Sequence, residues 1–257
     1  MLDIENFDLK LDTEFIGRNF FLVDEIDSTN STLLSEKKIY KDSGTVLFAE
    51  KQSHGKGRMG RTWQSIKELN LTFSILLRHN NSFRDKLSLI NLTSSLAIAL
   101  SIENLYQLKC ELKWPNDVII NRKKVSGILI ETSIVGKKIE RIVIGMGLNV
   151  NQNVFAGEFN IRPTSIKLEL NKTVSRETLL AEVLNCFEEQ LEILKEKPQY
   201  ILHAWRSRCN MIGSKITIQN QDNVRSGIFE DIDQDGFLLL NSNGKTEKVY
   251  FGDINLI

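Results

Sequence analysis

CELKWPNDVII (110–120), VSGILIETSIV (125–135) and IERIVIGMGLNV (139–150) are the runs whose reading decides the fold. All three are apolar and rich in β-branched residues, and only Asn121–Lys124 and Gly136–Lys138 separate them. Such residues suit a pleated, half-buried surface. Links this short cannot carry a crossover helix, so the runs are expected to pair as antiparallel neighbours. Trp114-Pro115-Asn116-Asp117 is an odd string for a strand interior, because proline removes a ladder donor; it marks an edge, a bulge or a bend. Upstream, 18–27 reads as a short strand, 28–39 as a helix that Ser28, Thr29 or Asn30 can cap, and 44–52 and 69–78 as further strands. The apolar spacing in 86–106 predicts one long buried helix, and 175–196 reads as an amphipathic helix with its acids turned to solvent. After Asn210 come four short strands, SKITIQ, SGIFEDI, GFLLLN and EKVYF, with hairpin signals at Asp235-Gly236 and Asn243-Gly244. The expected architecture is α+β: a mixed, mainly antiparallel sheet with helices over 1–209, then a small β-barrel over 210–257.

Composition narrows the function. The 257 residues suit one large domain, or one domain plus an appendage. Lys+Arg and Asp+Glu are both 33, which argues against a broad basic face for nucleic acid; any basic work is local. No apolar run approaches the length that spans a bilayer, and the acidic N-terminus does not read as a signal peptide. Three scattered cysteines and three histidines, with no CxxC or HExxH, support neither a disulfide framework nor a zinc site. The expected setting is a reducing cytoplasm.

EKQSHGKGRMGRTW (50–63) is the glycine-rich basic segment. Gly55, Gly57 and Gly60 satisfy GxGxxG, but a dinucleotide site needs a helix opening at the third glycine, and here the chain runs on into another strand. What distinguishes the segment is charge: Lys51, Lys56, Arg58 and Arg61 with no acid after Glu50. Glycines let a ligand approach the backbone, cations between them suit a phosphate or carboxylate, and Trp63 offers a flat stacking surface. A solvated loop is the plain alternative. In the second constellation, Asp117, Lys123 and Lys124 fall on one hairpin, with Gly127 in the returning strand; turn lysines in water are the ordinary reading.

Taken together, DSTN (27–30), GxGRxGRxW (55–63), KWPND (113–117), KKVSGIL (123–129) and GxGLNV (145–150) resemble, in order and spacing, the biotin protein ligases, that is, the biotin–[acetyl-CoA-carboxylase] ligases. The resemblance implies a class II synthetase-like catalytic domain, followed by a small SH3-like β-barrel. It implies two steps: biotin and ATP, with Mg2+ as the activating ion, give biotinyl-5′-AMP and pyrophosphate, and a lysine of a biotin carboxyl carrier domain then takes the biotin. No tightly bound cofactor is implied.

By the same resemblance, Ser28, Thr29 and Asn30 lie against the polar head of biotin, whose ureido group offers an acceptor and two donors, and Gln52 is a further biotin contact. Alone, that string would read as a helix cap. The loop over biotin and the adenylate phosphate falls on Gly55, Lys56, Gly57, Arg58, Gly60 and Arg61. Many relatives have Arg where this chain has Lys56, which keeps the charge but loses the bidentate fork. Trp63 matches the aromatic near adenine, Asn116 and Asp117 match residues near ATP and its Mg2+, and Asn149 matches one close to the nucleotide. Lys124 matches the lysine beside the biotin carboxylate and α-phosphate, with Gly127 beside it. Arg58, Asp117 and Lys124 are the expected catalytic set; no metal ligand is assigned. Lys123 reads as a surface residue and Glu131 as structural. Residues 1–26 are too few for the three-helix DNA-binding domain that some relatives carry, so a monofunctional ligase that binds neither DNA nor membrane is expected. An exposed sheet edge leaves a homo-oligomer open. The rival readings are a lipoate or octanoate ligase on the same fold, and a non-catalytic sensor.

Overall fold

The computed structural model describes residues 1–35, 40–78, 86–136, 138–220 and 223–257. The elements of the first part are α1 (Ile4–Asp8), β1 (Phe20–Ile26), α2 (Thr29–Leu34), β2 (Val46–Gln52), β3 (Leu71–Arg78), α3 (Leu87–Tyr106), β4 (Glu111–Lys113), β5 (Asp117–Ile120), β6 (Lys123–Val135) and β7 (Lys138–Leu148). Then come α4 (Ile166–Leu170), α5 (Arg176–Glu196), α6 (Pro198–Arg206), β8 (Lys215–Asn220), β9 (Asn223–Ile232), β10 (Leu238–Ser242), β11 (Lys245–Val249) and β12 (Asp253–Leu256). The expected 28–39 helix is shorter than read: it ends at Leu34, with Ser35 already extended, and 36–39 lie outside the described part, as does Lys137 in the 136–138 turn.

The large sheet runs β1-β2-β3-β7-β6-β5-β4; only β1 and β2 are parallel, and α2 connects them. The mainly antiparallel expectation holds. One part needs correction: the first of the three runs is two strands, because the chain reverses at the cis Trp114-Pro115 bond and pairs Lys113 with Asp117. The β5–β6 turn is built on Asn121 and Arg122, both in the left-handed region (φ 49° and 61°), the geometry of a two-residue hairpin.

Helices α3, α5 and α6 form a layer on one face, closing a core with β2, β3, β6 and β7. Contrary to the expectation from the sequence, α3 is long and apolar enough to cross a membrane, with a mean hydropathy of 1.2. Its place explains that composition. It is apolar on all sides because α5, α6 and the sheet surround it, and its Thr93, Ser94 and Ser101 hydroxyls donate to carbonyls one turn back. In α5 most acids face solvent, but Glu188 is buried and accepts from the backbone N–H groups of Glu14, Phe15 and Ile16.

The C-terminal module has five strands, not four, in the order β11-β10-β9-β8-β12. Its end strands β11 and β12 do not pair, so among the described residues it is an open sheet rather than a closed barrel. Its acids are less idle than solvated turn residues: Asp233 accepts from the backbone of Asp235 and Phe237, and Asp231 pairs with Arg206.

Candidate functional site

Alternation along the strands makes the floor of the site. Leu71, Phe73 and Ile75 of β3, and Ile142, Ile144 and Met146 of β7, point into the helix-covered core. Successive side chains of a strand point to opposite faces, so Thr72 and Ser74, Gly145 and Gly147, and Gly127 and Leu129 are turned the other way. Register joins them into two rows. One is Thr72–Gly147–Gly127–Asp117–Lys113, across five strands; the other is Ser74–Gly145–Leu129. The glycines let Trp63 and Asn30 lie directly on the strands. A methyl group at Gly147 would meet Trp63 Cε2 at 2.2 Å, and one at Gly145 would meet Asn30 Oδ1 at 2.4 Å. Above the floor lies a cleft of about 420 Å³, and of the residues the sequence assigned to binding or catalysis all but the loop glycines Gly55 and Gly60 line it.

At one end stand the residues of α2. Ser28 caps the helix, accepting from the backbone N–H of Ser31, so the cap reading was also right; it lines the cleft as well. Thr29 donates through its N–H and hydroxyl to Gln52 Oε1 (2.7 and 2.9 Å). Ser74 Oγ lies 2.6 Å from both Thr29 Oγ1 and Asn30 Oδ1. Asn30 Nδ2 donates to the Leu129 carbonyl (3.1 Å) and to Glu131 Oε2 (2.8 Å). Glu131 therefore belongs to the site's surroundings, holding Asn30 and facing Lys56 Nζ at 3.7 Å.

The glycine-rich segment closes on itself. Gly57 N–H donates to the Arg61 carbonyl and Trp63 N–H to the Gly55 carbonyl, and a 3-10 turn, Arg58–Gly60, makes the tip. Trp63 lies on the glycine floor; its buried Nε1 has no hydrogen-bond partner. Arg58 donates to Asn116 Oδ1 (3.1 Å) and to the Gly252 carbonyl (3.3 Å), and lies 3.4 Å from Asp253 Oδ1. Arg61 Nη2 is 2.6 Å from Asp253 Oδ2. Burial lowers the pKa of the Arg58 guanidinium, and Asp253 and Asp117 work against that. Asp253 lies in β12, and nothing in the sequence signals that it meets residues nearly 200 positions earlier.

The β5–β6 hairpin brings Asp117 and Lys124 into contact: Lys124 Nζ lies 2.6 Å from Asp117 Oδ1, off the line of a hydrogen bond, and 5.7 Å from the Trp63 ring centre. Lys123 turns away to Glu169, part-buried rather than free in water. Asn149 lines the cleft, but its Nδ2 donates to the Thr164 carbonyl, and Thr164 N–H donates to the Lys124 carbonyl. Asn149 thus holds the 163–165 segment against Lys124. The cysteines are elsewhere and buried, and burial pushes the Cys110 thiol up to about 12. Among the described residues no group of three or more His, Cys, Asp or Glu is placed to hold a metal.

The cleft thus has a polar pocket at one end and cations, most of them paired with carboxylates, along its length. Residues 22–149 match the biotin/lipoate A/B protein ligase family, and residues 211–256 match the biotin protein ligase C terminal domain. The chain belongs to the biotin/lipoate A/B protein ligase family. Several similar proteins within it are named as biotin ligases. The bifunctional ligase/repressor BirA of Bacillus subtilis is 30% identical over 255 residues, 96% of this chain and 76% of that protein. The biotin–[acetyl-CoA-carboxylase] ligase of Mycobacterium tuberculosis is 31% identical over 245 residues, 92% of this chain and 88% of that protein. The biotin protein ligase of Aquifex aeolicus, solved in complex with biotin and ATP, superposes with a TM-score of 0.80 at 28% identity, covering 93% of this chain and 99% of that one.

Proposed function

We propose that this enzyme condenses biotin with ATP to biotinyl-5′-AMP and pyrophosphate, then passes the biotinyl group to a lysine of a biotin carboxyl carrier domain of the acetyl-CoA carboxylase type. The observation that carries the reading is the order of groups along the cleft: a hydrogen-bonding pocket at α2, Lys124 and Trp63 at the centre, and arginines of the glycine-rich loop above. Ser28, Thr29, Asn30 and Gln52 suit a ureido head, since hydroxyls and amides match its one acceptor and two donors. The valeryl chain then runs along the cleft from that pocket, with its carboxylate at Lys124. Trp63 stacks on the adenine, and Asn116 and Asp117 flank the phosphates.

In the first step the carboxylate oxygen attacks the α-phosphorus. Two anions meet, and Lys124 and Arg58 offset both their repulsion and the charge that builds in the transition state. No thiol or serine nucleophile takes part. Asp117 suits a magnesium ion: its Oδ1 is buried without a hydrogen bond, and Mg2+ commonly takes one or two carboxylates plus substrate phosphates. When bound there it would neutralise phosphate charge. Lys56 and Gly57 close the loop over the intermediate, which protects a hydrolysable anhydride from water. In the second step the neutral amine of the carrier lysine attacks the acyl carbon and AMP leaves.

The test is pyrophosphate–ATP exchange with Mg2+, offering biotin, lipoate and octanoate in parallel. Exchange dependent on biotin alone is expected. Exchange with lipoate or octanoate but not biotin would move the chain to the sister branch, and silence with all three from folded protein would make it a sensor.

A further inference from the structure

Lys113 has no part in the scheme above, yet it stands at the far end of the same floor. It ends β4, the edge strand of the large sheet, in register with Asp117 of β5. Its neighbour Leu112 is buried in the core, so alternation turns Lys113 to the cleft, which it lines. The other cations of the cleft all face carboxylates: Lys56 faces Glu131, Arg58 and Arg61 share Asp253, and Lys124 meets Asp117. Lys113 has no hydrogen-bonded or ion-paired partner among the described residues. Burial lowers its pKa, and the fields of Asp117 and Asp253 work against that while those of Lys124 and Arg61 add to it. A half-buried ammonium without a partner costs free energy that an anionic ligand would recover.

Position says which anion. Asn30 Oδ1 sits over Gly145 of β7, Lys124 lies on β6 beside Gly127, Asp117 is on β5 and Lys113 on β4. Adjacent strands are about 4.8 Å apart, so Lys113 stands roughly 10 Å beyond β6 along the floor. An acid whose head is held at α2 and whose carboxylate ends at Lys124 reaches the α-phosphorus from the β7 side. Displacement at phosphorus is in line, so the leaving oxygen departs on the opposite side, toward β5 and β4.

We propose that Lys113 is the pyrophosphate-binding residue of the adenylation step, an inference that rests on the adenylating reading of the cleft. Its ammonium holds the β- and γ-phosphates of the bound nucleotide. As the bond from the carboxylate oxygen to the α-phosphorus forms, the bond to the bridging α–β oxygen breaks, and its electron pair leaves with the pyrophosphate. Lys113 offsets that charge and stays protonated throughout. It takes no part in transfer, since by then the pyrophosphate has gone.

The test compares intact Lys113→Met, which keeps the apolar stem, with Lys113→Gln and Lys113→Arg. Loss of a donor of this kind typically lowers rate about 10²–10³-fold, and the biotin-dependent exchange rate is expected to fall on that order. The dissociation constant of pyrophosphate and the KM for ATP should rise together. The dissociation constants of AMP and biotin, and single-turnover transfer from pre-made biotinyl-5′-AMP to the carrier, should stay at wild-type values. Lys113→Arg should restore most of the pyrophosphate affinity. Unchanged pyrophosphate and ATP affinity in either folded neutral variant would overturn the assignment; so would equal losses for pyrophosphate, AMP and transfer, which would mark a structural role. Lys113→Gln guards against a Met variant that does not fold. Failure of the adenylating reading itself is seen separately, as absence of biotin-dependent exchange in the wild-type protein.

Discussion

Gly147→Ala is the sharpest probe of how the floor works. The backbone at Gly147 does not lie in the left-handed region, so the substitution acts through space alone. The added methyl would lie 2.2 Å from Trp63 Cε2, 2.4 Å from Nε1 and 2.6 Å from Cζ2. Either the strand or the indole gives way. β7 is central and hydrogen-bonded on both sides, whereas Trp63 is part-exposed and its Nε1 makes no hydrogen bond. The indole is therefore expected to lift, at a stability cost below the roughly 1–3 kcal/mol of an overpacked core. What the enzyme loses is the platform. Base–aromatic stacking is worth about 1–3 kcal/mol, so the KM for ATP should rise about 5- to 150-fold. The assay is biotin-dependent pyrophosphate exchange over a range of ATP, with the melting temperature measured alongside. In a Trp63→Ala background the same glycine substitution should add almost nothing, because the two residues act as one contact. A wild-type KM in Gly147→Ala, or a full effect that persists without Trp63, would refute the stacking argument.

Lys124→Ala should lower adenylation about 10²–10³-fold while the protein stays folded, because the side chain is part-exposed at the cleft and outside the apolar core; wild-type turnover would remove Lys124 from the mechanism. Glu50 reports on the contact between β2 and the start of α5. Burial raises its pKa, but Arg176 and the backbone N–H groups of Leu2 and Glu68 more than offset that, leaving the carboxyl below its usual range. A carboxyl with a depressed folded-state pKa contributes stability that is present above the ordinary glutamate value, about 4.3, and lost as pH falls through the lower folded value. Glu50→Gln should therefore lower the melting temperature at pH 7 and flatten its fall on the acid side, which a melting series from pH 7 to pH 3 checks.

Much of this was legible in the sequence, and the unread parts share a cause. The β5–β6 and β6–β7 hairpins could be read because turn chemistry and β-branched runs are local signals. The β4–β5 reversal was left undecided among an edge, a bulge and a bend, because a proline shows where a ladder breaks and not which way the chain then goes. The membrane-length composition of α3 was missed because its serines and threonines make it look polar, although all of these hydroxyls but that of Ser88, which donates to the Gly236 carbonyl, serve a carbonyl of their own helix. Motifs located the cleft residues of their own segments and missed the 155–163 stretch, which also lines the cleft. They gave nothing for Asp253, which sits on the other sheet, or for Glu131, whose role depends on the α2–β6 contact. Gly145 and Gly147 were quoted in a motif and given no role. Two glycines at period 2 inside an apolar strand are a readable sign of close approach, and the approaching groups are Asn30 and Trp63.

The charge pattern bears on how the cleft admits its substrates. Lys56, Arg58, Arg61, Lys113 and Lys124 line it together with Asp117, Glu158 and Asp253, and Glu131 faces Lys56; five cations against four carboxylates leave one positive charge. Free of substrate, the site is largely self-neutralised, which lowers the cost of holding so many cations in a part-buried space. Phosphates that enter must exchange for Asp253 and Asp117 rather than add to bare arginines and lysines. A lone carboxylate or monophosphate gains little by that exchange, while a triphosphate reaches several cations at once.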